Sequence, residues 1–229
     1  MIVLYFDSSY FKWGELLISS IRLFEPEERV HVYGTNLSKE QQDVLRRLGA
    51  GLTHEKIKAK GKELSYQIIE RKAQYLLNAF DNYKHECILI MLDADMVLLK
   101  PLAAIKNAMI NGSFDMAGVY ASPEKICGGF YIFRRTGNVL DLLGNWDKHL
   151  MDGNFFYDKD QPSLAVFVRA YMFNRGLKFL PVPRTYLDHF SREESIIWSA
   201  HKSEFGGKNQ RYKLYVSKLA ELTKNAQAS

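Results

Sequence analysis

An α/β domain with a mixed, mainly parallel central sheet flanked by helices is the fold class that the 229-residue sequence predicts. Two observations carry this. Strand-like and helix-like segments alternate through the first half of the chain. The strongest strand run, Glu86 to Leu92, is apolar almost throughout, as a strand covered on both faces must be.

The elements follow in order. Ile2 to Phe6 is a short apolar run, read as a buried strand. Trp13 to Phe24 has helix-spaced apolar residues and stops at Pro26. Arg29 to Tyr33 alternates like a strand. Ser38 opens a helix with Gln41 as its capping-box partner, and Gly49 stands where a C-cap glycine belongs. Leu64 to Phe80 reads as one long helix. Pro101 starts a short helix, since proline is favoured at the first helical position. Phe114–Tyr120 and Phe130–Phe133 read as strands, Val139–Leu150 and Ser163–Asn174 as helices. Leu177–Val182 and Ser195–Trp198 are short strand candidates. From Arg211 onward the pattern is an amphipathic basic helix. Without repeats or an evident linker, residues 1–229 read as one domain, with a nucleotide-binding half over about 1–112 and a half over about 113–229 that completes the site.

Composition narrows the partners. Net charge is +5 and the isoelectric point is about 9.0, which favours anionic ligands such as nucleotides or an acidic membrane face. No dense Lys/Arg stripe marks a nucleic-acid footprint. Cys87 and Cys127 are the only cysteines, so no disulfide framework is expected. The N-terminus has no basic lead-in to an apolar core, so no signal peptide is expected, and no run approaches a membrane span. The expected location is cytoplasmic, or a soluble catalytic domain of a longer protein. Membrane contact is expected only peripherally, through the segment YKLYVSKLAELTK.

The stretch ILIMLDADMVLLKPL, Ile88 to Leu102, concentrates the chemistry. Carboxylates next to a core are costly unless something occupies them. Asp93 and Asp95 end the strongest strand, and ligands of open parallel sheets bind at such ends. In extended chain, residues two apart point to the same side, so both carboxylates face one spot and Ala94 faces away. Two hard oxygen donors suit Mn²⁺ or Mg²⁺, which in turn suit phosphate oxygens. In isolation, D-x-D reads more readily as two acids capping a turn or pairing with Lys/Arg; its place after a buried strand and before VLLKPL turns the reading toward a ligand site.

Two families share the pattern. D-x-D with Val two residues on resembles the haloacid dehalogenase phosphatases, but there the motif ends the first strand of the domain. Here several elements precede it and no acidic pair follows. ILIMLDADMVLLKPL also resembles the metal-binding segment of GT-A glycosyltransferases, especially the glycogenin-like and lipopolysaccharide galactosyltransferase types, and other segments line up in the same order. The resemblance implies a GT-A-like (Rossmann-like) fold. It implies transfer of a sugar from a UDP-sugar donor to the hydroxyl of a glycan or other acceptor, with Mn²⁺ (or Mg²⁺) on the diphosphate; the nearest-looking types retain anomeric configuration, and inversion stays open with Asp160 as a general base behind the anomeric carbon. A non-catalytic relative that binds a nucleotide sugar is the remaining alternative.

Carried over residue by residue, the resemblance makes the turn Asp7, Ser8, Ser9, Tyr10 the site of the uracil and ribose. Either Arg71 or Lys72, about 100° apart on a continuous helix, faces the donor. Asp93, Asp95 and a late His201 become the metal ligands, with Ala94 beside the donor. In ICGGFYIF, Gly128 and Gly129 lie close to the donor sugar, while Cys127 replaces the polar residue often found before the glycine. In DKDQPSLAVF, Asp160 and Gln161 flank the anomeric carbon as catalytic candidates, with Asp158 in reserve. In AHKSEFGGK, Gly206, Gly207 and Lys208 follow His201, and Lys208 reaches the diphosphate. His189 is the competing histidine. Phe155, Phe156, Tyr157 and Tyr186 are aromatic candidates for acceptor contacts.

Overall fold

A computed structural model describes residues 1–122, 124–152, 160–200 and 202–228. The chain forms β1 (Ile2–Asp7), α1 (Phe11–Phe24), β2 (Val30–Thr35), α2 (Lys39–Arg47) and β3 (Ala50–Glu55). It continues with α3 (Gly61–Glu70), α4 (Lys72–Asn82), β4 (Ile88–Asp93), β5 (Val97–Leu98) and α5 (Ala103–Asn111). β6 (Met116–Ser122), β7 (Lys125–Arg134), α6 (Gly137–Met151), α7 (Asp160–Arg175) and β8 (Phe179–Pro181) follow. A 3-10 turn (Arg184–Leu187), β9 (Ile197–Trp198), α8 (Lys202–Phe205) and α9 (Lys208–Ala228) complete it.

Seven strands make one sheet in the order β3-β2-β1-β4-β7-β6-β8. The first four are mutually parallel, β7 runs antiparallel to β4 and to β6, and β8 is parallel to β6. The mixed, mainly parallel α/β architecture is therefore as the sequence predicts. Strands β1 and β4 are apolar on both faces because both faces are covered. Ile2, Leu4, Phe6, Ile90 and Leu92 point into one core with α1 and part of α9. Val3, Tyr5, Leu89 and Met91 point into the other, with α4, α6 and α7. On α2, the Ser38 hydroxyl accepts from Gln41 N and the Gln41 side chain accepts from Ser38 N, the expected capping box. Gly49 takes φ +72, a conformation open to glycine.

Four details depart from the sequence reading. The helix expected over Leu64–Phe80 is two helices, broken at Arg71 (φ −91, ψ 1). The guanidinium of Arg71 is drawn instead to Glu55 Oε2 at 2.6 Å, at the end of β3. Pro101 does not open α5, which begins two residues later. The strand β3 was not foreseen, because its half-buried pattern is too weak to register. Nor was the two-stranded sheet formed by β5 with the remote β9, since strands of two residues carry no period.

His31 on β2 is 5% exposed. Its Nδ1 lies 2.7 Å from Tyr83 Oη and its Nε2 lies 3.0 Å from Thr53 Oγ1. Burial lowers its pKa from 6.5 to about 4, so the fold favours the neutral ring. The stabilisation is complete above about pH 6.5 and is lost as pH falls from there toward and below about 4, with an upper limit of roughly 3 kcal/mol. Urea unfolding across that window should show the loss, and the pH slope should flatten in His31→Gln.

Candidate functional site

The chain moves outward from β1 to β2 and β3, then returns to place β4 on the other side of β1. At such a switch point the loops leave in opposite directions and open a crevice beyond the strand ends. Tyr5 of β1 pairs in register with Asp93 of β4. A cavity of about 260 Å³ opens there, lined by Tyr5, Phe6, Asp7, Tyr10, Ser65, Ile68, Ile69, Lys72, Asp93, Ala94 and Asp95. Five sequence-named positions, Asp7, Tyr10, Lys72, Asp93 and Asp95, thus meet in one space, with Ala94 beside them. Tyr5 and the α3 wall were not foreseen, because their spacing reads as ordinary core.

Each carboxylate faces a cation. Asp93 Oδ1 accepts a hydrogen bond from the Tyr5 hydroxyl and lies 3.8 Å from Lys72 Nζ. The Lys72 side chain is 5% exposed and that of Asp93 34%, so the ammonium is desolvated and the carboxylate reaches the cavity. Lys72 Nζ also sits 5.0 Å from the centre of the Tyr5 ring. A buried ammonium needs such partners. Asp95 Oδ2 lies 3.7 Å from Arg211 Nη1, with side chains 29% and 12% exposed. The break at Arg71 separates the two basic neighbours: Lys72 lines the cavity and Arg71 ends on Glu55.

The remaining positions arrange themselves around this pair. The buried Asp7 accepts from Ser9 N at 2.6 Å, which closes the turn that presents Tyr10. Ser8 lies exposed on that turn, its N–H on Thr35 O at 3.1 Å. Lys208, the first residue of α9, stacks its Nζ 3.7 Å above the Tyr10 ring. Gly206 takes φ +76, and a side chain at Gly207 would meet nothing nearby.

On β7 the two glycines admit neighbours that a side chain would exclude. A Cβ at Gly128 would stand 2.5 Å from Gln161 Nε2. One at Gly129 would stand 2.0 Å from Met96 Cε and 3.2 Å from Asp93 Oδ2. Gln161 and Asp93 therefore flank consecutive residues of one strand. Asp160 opens α7, and its side chain is outside the described set. His201, Asp158, Phe155, Phe156 and Tyr157 also lie outside the described residues.

Two residues take structural positions instead. Tyr186, expected at the acceptor, is 8% exposed and stacks on Phe130 in the core. His189 places Nδ1 2.7 Å from Ser199 O and does not line the cavity.

Asp93 and Asp95 are hard oxygen donors on one cavity, a set that fits a divalent cation. Among the described residues no group of three His, Cys, Asp or Glu side chains assembles to hold one. Any third protein ligand would come from outside them, and the β5–β9 pairing carries a late segment to this place. Val97 pairs with Trp198 and Leu98 with Ile197. Two residues back along that register, Asp95 comes opposite Ala200, the neighbour of His201 in sequence.

No protein-family model matches the chain, and comparison with curated proteins finds no match. Solved structures do share its fold. A galactosyltransferase, LgtC, in complex with donor and acceptor sugar analogues, aligns with a TM-score of 0.59 at 10% identity, over 97% of this chain and 96% of its own. Mouse xyloside xylosyltransferase 1, in its apo form, gives 0.55 at 12% identity over 88% and 97%. The glycosyltransferase GlyE of Streptococcus pneumoniae TIGR4 gives 0.59 at 15% identity, over 98% of this chain and 63% of its own. At these identities the likeness establishes the fold.

The Gly129 contacts make a direct test. Gly129→Ala should displace Met96 and crowd Asp93, lowering stability by about 1–3 kcal/mol. Gly128→Ala meets Gln161 along its side chain, Nε2 at 2.5 Å and Cγ at 2.8 Å, but should cost less because Gln161 is partly exposed and can turn toward solvent, whereas Met96 is buried. Urea denaturation of both variants checks the order.

Proposed function

We propose that this protein is a glycosyltransferase that moves a sugar from a UDP-sugar donor to the hydroxyl of a glycan or other acceptor, with retention of anomeric configuration and with Mn²⁺ or Mg²⁺. The observation that carries the reading is the convergence of Asp7, Tyr10, Lys72, Asp93 and Asp95 on one cavity at the switch point between β1 and β4. The fold shared with a galactosyltransferase and a xylosyltransferase supports it. A dehalogenase-type phosphohydrolase is not favoured, since the D-x-D pair ends the fourth strand in chain order.

In this reading the flat base stacks on Tyr10, and Asp7 and Ser8 read its edge and the ribose. Asp93, Asp95 and His201 would hold the cation, whose contribution there would be Lewis acidity toward the departing diphosphate. Lys208 and the buried Lys72 add fixed positive charge where negative charge develops on the leaving oxygens. Gly128 and Gly129 let the sugar approach the β7 backbone. Gln161, packed on Gly128, and Asp160 stand beside the anomeric carbon and stabilise the positive charge it gains. Arg71 supports the site indirectly: its tie to Glu55 turns the chain so that Lys72 faces inward.

Thermal denaturation tests the ligand chemistry. UDP at about 100 times its dissociation constant with Mn²⁺ should add roughly 2.7 kcal/mol, a rise of about 5–10 °C in Tm. Neither GDP nor UDP without metal should match it. Asp95→Asn should abolish the metal-dependent part. No response of the wild type to any nucleotide would sink the proposal. Once a donor and acceptor pair is found, the product anomer read by NMR should match that of the donor; the opposite anomer would assign inversion.

A further inference from the structure

The first turns of α9 present Lys208, Arg211, Tyr212 and Tyr215 at positions i, i+3, i+4 and i+7, one face of the helix. That face is seated against the D-x-D segment. Tyr215 is fully buried, its ring edge-on to Trp13 at 5.3 Å and to Trp198 at 4.7 Å. Its hydroxyl donates to Asp95 O at 3.0 Å and accepts from Ala200 N at 2.5 Å. These are the two groups that the β5–β9 register brings opposite each other, so the tyrosine hydroxyl is inserted where a ladder hydrogen bond would stand. Arg211 makes the same connection a second time. One Nη1 lies 2.9 Å from Ala200 O and 3.7 Å from the Asp95 carboxylate. Its guanidinium sits 5.6 Å from the centre of the Trp13 ring.

Asp95 is thus held at its main chain by Tyr215 and at its side chain by Arg211. Both also hold Ala200, which comes from a segment about a hundred residues away in sequence. We infer that Arg211 and Tyr215 are positioning residues of the metal site, fixing Asp95 relative to the Ala200 segment so that metal affinity depends on a helix that contributes no ligand. The inference rests on the metal-dependent reading above. Outer partners of metal ligands commonly control affinity by about 10–100-fold. Lysine is not equivalent to Arg211 here, because the planar guanidinium lies against the Trp13 ring while its Nη1 meets the carbonyl and the carboxylate.

The test is a Mn²⁺ titration at saturating UDP, with free Mn²⁺ counted by electron paramagnetic resonance. Tyr215→Phe keeps the ring packing and removes the hydroxyl, so its Mn²⁺ affinity should fall about tenfold, the scale of one or two lost hydrogen bonds. UDP affinity without metal should stay within about twofold of wild type. The near-UV circular dichroism of the Trp13–Trp198–Tyr215 cluster should be retained. Arg211→Lys, which keeps the charge, should also weaken Mn²⁺ binding. Wild-type Mn²⁺ affinity in a folded Tyr215→Phe overturns the inference and leaves the metal reading intact. If that variant loses its near-UV signal, Arg211→Lys decides, and wild-type affinity there overturns it. A wild-type protein that takes up no Mn²⁺ overturns the metal reading, and this inference with it.

Discussion

The parallel pairing of β1 with β4 is the constraint on which the rest depends. It brings together two strand ends separated by more than eighty residues, Asp7 on one and Asp93 on the other. Because β2 and β3 were laid down on the far side of β1 first, the loops after β1 and β4 leave in opposite directions. The cavity is the space between them. Strands buried on both faces cannot slide without moving apolar side chains into water, so the positions of the carboxylates are set by the core beneath them.

A site built on carboxylates at the edge of an apolar core has to manage their charge. Here the balance is local and comes from different elements. Lys72, Tyr5 and Asp93 form one group across α4, β1 and β4. Arg211 and Asp95 form another across α9 and the turn after β4. Lys208 sits on Tyr10 at the mouth. Desolvated cations are costly to maintain, and Lys72 and Arg211 each have a ring face as well as a carboxylate to offset the loss of water. The result is a cavity lined by Asp7, Asp93, Asp95 and Lys72, with Arg211 and Lys208 bordering it through Asp95 and Tyr10.

The small sheet of β5 and β9 and the helix α9 give the D-x-D segment a second support, independent of the main sheet. Leu98 N donates to the buried Ser20 hydroxyl on α1 at 3.0 Å, which fixes β5 to the helix after β1. Trp13 on that same helix packs against Tyr212 and Tyr215. The N-terminal strand–helix unit, the D-x-D turn and the end of the chain are therefore one packed assembly around Asp95.

Much of this was legible in the sequence. The doubly buried β1 and β4, the Ser38–Gln41 cap, the Gly49 turn and the position of Asp93 and Asp95 at a strand end all follow from local pattern. That pattern is burial read along a single element. Of the positions named in order from Asp7 to Lys208, Asp7, Tyr10, Lys72, Asp93 and Asp95 line one cavity, and Lys208 lies over the Tyr10 ring. Tertiary structure alone decided that Lys72 rather than Arg71 lines the cavity, because the helix breaks where Arg71 is drawn to Glu55. It decided that Tyr186 is core, that β5 finds β9, and that Arg211 and Tyr215 brace Asp95. The physical reason is shared: periodicity tells which way a side chain faces within its own element. It carries no record of a partner far away in the chain when the contact is made by two-residue strands, a helix break or a single hydroxyl.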